Sequence, residues 1–138
     1  MKIPPIVNHG VMTLIDIATH QGDGYIKLPF LANLQRISPG MLDKTLRLLM
    51  YSQLLDTCRG RGGGYRVARP MAEISLADVY EAVSGRIVLS PCLESNDCPG
   101  CQHKAVWKGV SDLLWVRLQS IKLDGLGEGC LYTKNQKQ

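Results

Sequence analysis

The feature that most restricts the fold of this chain is Arg59-Gly60-Arg61-Gly62-Gly63-Gly64-Tyr65-Arg66-Val67, a glycine run between two short stretches, residues 54–58 and 65–68. Short strands on either side of clustered glycines form a hairpin with the glycines at its tip. Glycine there accepts positive φ angles and lets the backbone come close to another surface. Arg59 and Arg61 then project from a tip with little else around them. Such a tip suits the minor groove of duplex DNA, where negative potential attracts guanidinium groups. The plainer alternative is a flexible hairpin whose charge is incidental.

What precedes the hairpin favours the first alternative. Residues 8–20 have a helical period, with Val11, Leu14, Ile15 and Ala18 on one face, and Gln21-Gly22-Asp23-Gly24 ends it. A short second helix is expected near residues 29–34. A turn at residues 36–40 then restarts the chain as a third helix, with Ser38 as N-cap and Pro39 at the first helical position. In that helix Leu42, Thr45, Leu46 and Leu49 face inward, and the exposed positions include Met41, Asp43, Lys44 and Arg47. Two short helices joined by a tight turn, the second with basic residues outside, form a helix-turn-helix.

After the hairpin, Ser75 and Asp78 have the spacing of a capping box, and Leu76, Val79, Tyr80 and Val83 give the helix they start its apolar face. Residues 86–103 carry cysteines and read as a loop. A long helix is expected from Lys104 to about Leu123, with Trp107, Val110, Leu114, Arg117, Leu118 and Ile121 along one side and Leu113 and Trp115 widening its apolar surface. So much apolar surface on a terminal helix predicts packing across a twofold axis, with intrachain packing as the alternative. The expected fold is mainly α with a small β wing: a winged helix-turn-helix domain over residues 1–84, a cysteine-rich loop over 85–103, a dimerisation helix over 104–124 and a flexible tail over 125–138.

Charge agrees with a nucleic-acid partner. Between Ile26 and Arg69, eight basic residues face two acidic ones, so this stretch holds +6 and the rest of the chain −2 of the total of +4. Concentrated basic charge is the footprint of a phosphate backbone. No apolar run approaches the roughly 20 residues of a membrane span, and no export signal is visible, so a cytoplasmic location is expected. No Ser/His/Asp set or phosphate-cradling loop is present, and an enzyme is not expected.

Cys92, Cys98 and Cys101 form Cys-x5-Cys-x2-Cys, with His103 close behind. Thiolates are soft donors, and Pro91, Pro99 and Gly100 make the segment turn repeatedly, as a chain wrapped around a metal must. Three cysteines and His103 suit zinc or an iron–sulfur cluster with one nitrogen ligand, and donor type alone does not choose between them. A metal-free thiol switch is the third option. Cys58, in a strand, reads as a small packing residue, and Cys130 lies in the tail; neither is assigned as a ligand.

Taken in order, these features resemble the Rrf-two family of iron–sulfur regulators typified by IscR, NsrR and RirA. The matching pieces are Val7-Asn8-His9-Gly10-Val11-Met12-Thr13-Leu14-Ile15-Asp16-Ile17-Ala18, the turn and helix of residues 37–49, the glycine-rich wing, Ile74-Ser75-Leu76-Ala77-Asp78-Val79, Cys92-x5-Cys98 and the Trp107 helix. The resemblance implies a homodimer with crossed C-terminal helices, a palindromic DNA operator, and a cluster, commonly 2Fe–2S, whose gain, loss or redox change alters DNA affinity. By position it implies DNA contacts at Ser38, Gly40, Met41 and Lys44 in the recognition helix and at Arg59 and Arg61 in the wing. Family members usually separate the second and third cysteines by five residues, against two here. In the IscR branch a histidine follows the third cysteine by three residues, where this chain has Lys104, with His103 one position earlier. In the NsrR branch the fourth ligand is an acidic residue of the partner, at the position matching Asn8, beside His9. The fourth ligand is therefore open between His103 and Asn8 or His9 of the partner subunit.

Overall fold

In the computed structural model, which describes residues 2–126, the chain folds as α1 (Pro5–His20), α2 (Leu28–Gln35), α3 (Pro39–Tyr51), β1 (Leu55–Cys58), β2 (Gly64–Val67), α4 (Leu76–Ser84) and α5 (Gln102–Ser120). The tail expected over 125–138, from residue 127 onward and with it Cys130, lies outside the described residues.

The helix-turn-helix forms as its caps dictate. Ser38 accepts a hydrogen bond from the Met41 amide at 3.3 Å, and Pro39 sits in the first turn of α3. Leu42, Thr45, Leu46 and Leu49 are the buried residues of α3, as their spacing predicts. The Ser75–Asp78 capping box closes in both directions, at 3.1 Å and 2.9 Å. The hairpin pairs antiparallel from Leu55 with Val67 to Cys58 with Gly64.

α1 departs from expectation twice. It begins at Pro5, where the fixed φ of proline suits the first helical turn. It also turns a different face inward: Val7, Gly10, Leu14 and Ile17 are buried, whereas Val11, Ile15 and Ala18 are half-buried. The cause is Gly10. A Cβ there would lie 3.0 Å from a Val79 methyl and 3.4 Å from one of Val83, so this glycine marks the closest approach of α1 to α4. A periodicity that scores side-chain hydrophobicity does not register a contact made by having no side chain.

α5 starts two residues before the expected position and stops at Ser120 instead of running to Leu123. Beyond it the chain turns back: the Leu76 amide donates to the Ile121 carbonyl and the Leu123 amide to the Ile74 carbonyl, both at 2.9 Å. Leu123 is thereby fully buried. Within α5 only Ser111 and Trp115 are buried, and Trp115 packs edge-to-face on Tyr80 of α4 with ring centroids 6.5 Å apart. Trp115 therefore belongs to the intrachain core and does not widen an outer surface.

α2 is tied to α1 by a buried polar cluster, in which the Gln35 side-chain amide donates to Thr13 Oγ1 at 3.2 Å and to Asp16 Oδ2 at 2.9 Å. Burial pushes the Asp16 carboxyl above its ordinary value, against the lowering effects of Gln35 and His20. A raised native pKa means that the native state holds the proton more tightly than the unfolded chain, so Asp16 stabilises most at low pH and this contribution fades as pH rises through the native value. At neutral pH its charge is a net cost. Asp16→Asn, which keeps an acceptor for Gln35, is expected to melt higher than wild type at pH 7, with the difference closing below pH ~4, the ordinary carboxylate value; melting curves across this range check it.

Candidate nucleic-acid interface and cysteine loop

α3 owes its presentation to the turn before it. Arg36 closes α2 in the left-handed region (φ 55°, ψ 42°), and the Ile37 amide donates back to the Ala32 carbonyl at 3.2 Å. A non-glycine residue in this region costs about 1–2 kcal/mol, offset by the core contacts that fix the angle between α2 and α3. Ser38, Gly40, Met41 and Lys44 all come out exposed on one end of α3. Ser38 uses a lone pair for its cap and keeps its own proton to donate. Nothing lies within 4 Å of a Cβ built on Gly40, so packing does not demand glycine there; its bare backbone leaves the positive N-terminal turn of α3 open to an anion. Arg47 is held by Asp43 at 2.9 Å, whereas Lys44 forms no ion pair with a described residue.

The wing is anchored more firmly than a flexible hairpin. Ile26 and Tyr65 exchange backbone hydrogen bonds of 2.7 Å in both directions, which adds a third, single-residue rung to the sheet. A Cβ on Gly64 would sit 2.3 Å from the Ile26 carbonyl oxygen, and one on Gly63 2.3 Å from that of Cys58. These two glycines permit close approach, and Gly60 and Gly62, at φ 93° and 74°, shape the tip. The Gln21 side chain accepts from the Val67 amide at 2.9 Å and fixes the wing to the end of α1. Arg66 lies over the Tyr25 ring at 4.9 Å, with Asp56 at 4.0 Å. Arg59 and Arg61 are exposed and unpaired among the described residues. Neither the Ile26 rung nor the contact of Arg66 with Tyr25 was expected from the sequence: a single-residue bridge has no periodicity, and the contact joins segments far apart in the chain. Cys58 is exposed, not packed as expected, since a two-stranded sheet has no layer over its outer side.

The cysteine loop is closed by its own contacts. Residues Pro91–Leu93 form a 3-10 turn against α5, the Asp97 amide donates to Ser95 Oγ at 3.0 Å, and the Lys104 ammonium donates to the Ser95 carbonyl. Cys92 and Cys101 are half-buried and Cys98 exposed, all as free thiols, with Ser90 Oγ 3.0 Å from the Cys92 sulfur. Cys101 is the N-cap residue of α5, and His103 lies exposed in its first turn. Among the described residues no three of these donors come together at metal-binding distance. Their kind fits a thiolate-bound centre all the same: three soft donors in a turn-rich surface segment, beside a helix N-terminus without a side-chain cap, where anionic charge is favoured. In the first turn of α1, Asn8 is exposed, and His9 has a buried Nδ1 without a partner among the described residues, at a cavity of about 100 Å³.

A helix-turn-helix with an arginine-tipped wing, followed by a cysteine loop and a long helix, is the arrangement to which the comparisons also lead. The family described as "Rrf2: Iron-dependent Transcriptional regulator" matches residues 6–129. The chain belongs to the Rrf2 family. Among its relatives, the transcriptional regulator IscR of Photorhabdus laumondii is 30% identical over 129 residues, covering 91% of this chain and 79% of that protein. Among solved structures, T. potens IscR superposes with a TM-score of 0.72 at 25% identity, covering 96% of each chain. CymR, the global cysteine regulator of B. subtilis, superposes with a TM-score of 0.73 at 25% identity, covering 91% of this chain and 95% of that one. These Rrf2 relatives are transcriptional regulators, not enzymes, and this chain is a DNA-binding regulator of the same family. No helix among the described residues is long and apolar enough to cross a membrane.

Replacing Arg59 by alanine in this Rrf2 protein is expected to weaken binding to duplex DNA irrespective of sequence and to lower the slope of log affinity against log salt by about 1. Fluorescence anisotropy over a salt series measures the slope. An unchanged helical circular dichroism spectrum separates this result from unfolding.

Proposed function

We propose that two copies of the chain pair through α5 and read a palindromic operator, and that an iron–sulfur centre held by Cys92, Cys98 and Cys101 sets their DNA affinity. The observation that carries this reading is the outer face of α5. Val106, Leu113 and Val116 are 63%, 71% and 62% exposed on a helix whose N-cap is Cys101. With Val110 they make a stripe at helical spacing, and Gly109 within it has nothing within 4 Å, so a second helix can come close. Apolar surface of this kind favours a partner, and a second copy of the same stripe is self-complementary about a twofold axis.

In such a dimer, residues 38–47 of each copy, with Ser38, Gly40, Met41 and Lys44 foremost, enter the major groove, and Arg59 and Arg61 enter the adjacent minor groove. The two reading heads must match sites roughly one helical turn, about 34 Å, apart. When bound, the iron–sulfur centre supplies a group that responds to redox state, iron supply or nitric oxide. Cys98 and Cys101 flank the start of α5, so closing the loop around ligands acts on the helix that sets the spacing of the heads. Coupling is reciprocal: if loading changes DNA affinity, DNA changes loading by the same factor. The fourth donor is His103, or Asn8 or His9 of the partner subunit.

A second reading keeps the DNA-binding dimer and makes the loop a zinc site or a metal-free thiol switch. The likeness to a cysteine regulator favours it.

The deciding measurement is the absorption spectrum and the iron, sulfide and zinc content of protein purified without oxygen. Visible bands with equimolar iron and sulfide, both lost in Cys98→Ala, are expected, together with different DNA affinities of the loaded and stripped forms. Stoichiometric zinc without colour, or equal affinities, would sink the sensor. Dimerisation has its own test: Leu113→Glu is expected to sediment as a monomer with native helix content, and to bind palindromic DNA at least tenfold more weakly. A dimer that survives this change would place the interface elsewhere.

A further inference from the structure

A cavity of about 290 Å³ lies between the cysteine loop and the inward side of α5, lined by Arg86, Ile87, Val88, Leu93, Lys104, Lys108, Ser111, Asp112 and Trp115. We propose that it is a binding site for a small organic carboxylate with an apolar body, a ligand distinct from any metal and from DNA.

Three observations carry the proposal. The lining brings three cations against one carboxylate, and Lys108 and Asp112 satisfy each other at 2.7 Å, leaving Arg86 and Lys104 as the unbalanced charges. Arg86 Cζ lies over the Trp115 ring at 4.9 Å, which holds at the cavity a planar guanidinium whose edge can receive a carboxylate bidentately. Ser111, only 9% exposed, lines the same cavity and its hydroxyl has no hydrogen-bond partner among the described residues. A buried hydroxyl without a partner is an unfavourable arrangement that a ligand oxygen would relieve. The remaining wall, Ile87, Val88, Leu93 and Trp115, is apolar. A few convergent polar groups on an apolar floor are the usual make-up of a small-molecule site, and this volume, near the small end of the range, has room for a branched-chain or single-ring acid.

Helix geometry keeps the cavity clear of the proposed dimer interface. Lys104, Lys108, Ser111 and Trp115 recur every three or four residues along one side of α5, and Val106, Val110, Leu113 and Val116 occupy the opposite side. The proposal therefore stands whether or not the dimer forms, and does not rest on a metal in the loop. It does connect to the loop, because Lys104 also donates to the Ser95 carbonyl and Leu93 lies beside Cys92. A carboxylate that recruits Lys104 competes with that tie.

The test uses the full chain with Trp107→Phe, which leaves Trp115 as the one fluorescent indole of the two in the sequence. Phenylacetate is the probe, with benzyl alcohol and inorganic phosphate as controls. The expected result is a saturable change in Trp115 fluorescence with phenylacetate, at least tenfold weaker with benzyl alcohol, with phosphate, and with phenylacetate on Arg86→Gln. Lys104→Gln, a change on a different element, is expected to weaken phenylacetate several-fold and keeps the test valid if Arg86→Gln disturbs folding. No saturable response to phenylacetate, equal binding by both variants, or phosphate binding as tightly as phenylacetate would overturn the proposal.

Discussion

Everything in this molecule is referred to the crossing of α1 and α4 at Gly10. Because position 10 has no side chain, the Val79 and Val83 methyls of α4 reach the α1 backbone, and a methyl of Leu49 of α3 lies 3.9 Å from where a Cβ would stand. α1 then carries α2 through the Gln35–Asp16–Thr13 cluster, and α4 carries α5 through the Tyr80–Trp115 contact. α3, through Leu49, and the long terminal helix are thus positioned from one close contact. Protein interiors are packed densely enough that such a contact transmits displacement without absorbing it.

A second constraint closes the other end. The return of residues 121–126 against Ile74 buries Leu123 and fixes where α5 stops, and the Lys104–Ser95 contact fixes the loop where it starts. Held at both ends on its inner side, α5 leaves its outer side, with Val106, Leu113 and Val116, uncovered among the described residues. The cysteines sit at the one place where a change in loop structure meets the start of this helix. On the proposed function, that position lets chemistry at three thiols reach the DNA-binding face without any contact between them.

Local chemistry made much of this legible in advance. Ser38 with Pro39 and Ser75 with Asp78 are start signals that work through hydrogen bonds a few residues apart, and both formed as written. The inward face of α3 and the glycine hairpin are of the same kind. What was misread required knowledge of neighbours. The face of α1 rotated toward Gly10, Trp115 went into the intrachain core, and Cys58 was left uncovered because its sheet has two strands. The cysteine cluster, the clearest pattern in the sequence, is not gathered by the fold among the described residues.

By itself, then, the sequence determined the order of elements, the caps, the basic helix-turn-helix with its arginine-tipped wing, and the cysteine spacing, because each depends on residues within about one or two turns of chain. Only the tertiary structure decided which side of α1 and α5 turns inward, that Arg66 lies over Tyr25 while Arg59 and Arg61 are unpaired among the described residues, and that Arg86, Lys104 and Ser111 line one cavity. Those outcomes are settled by close packing between segments far apart in the chain, where the absence of a side chain at Gly10 or the single rung at Ile26 weighs as much as any apolar stripe.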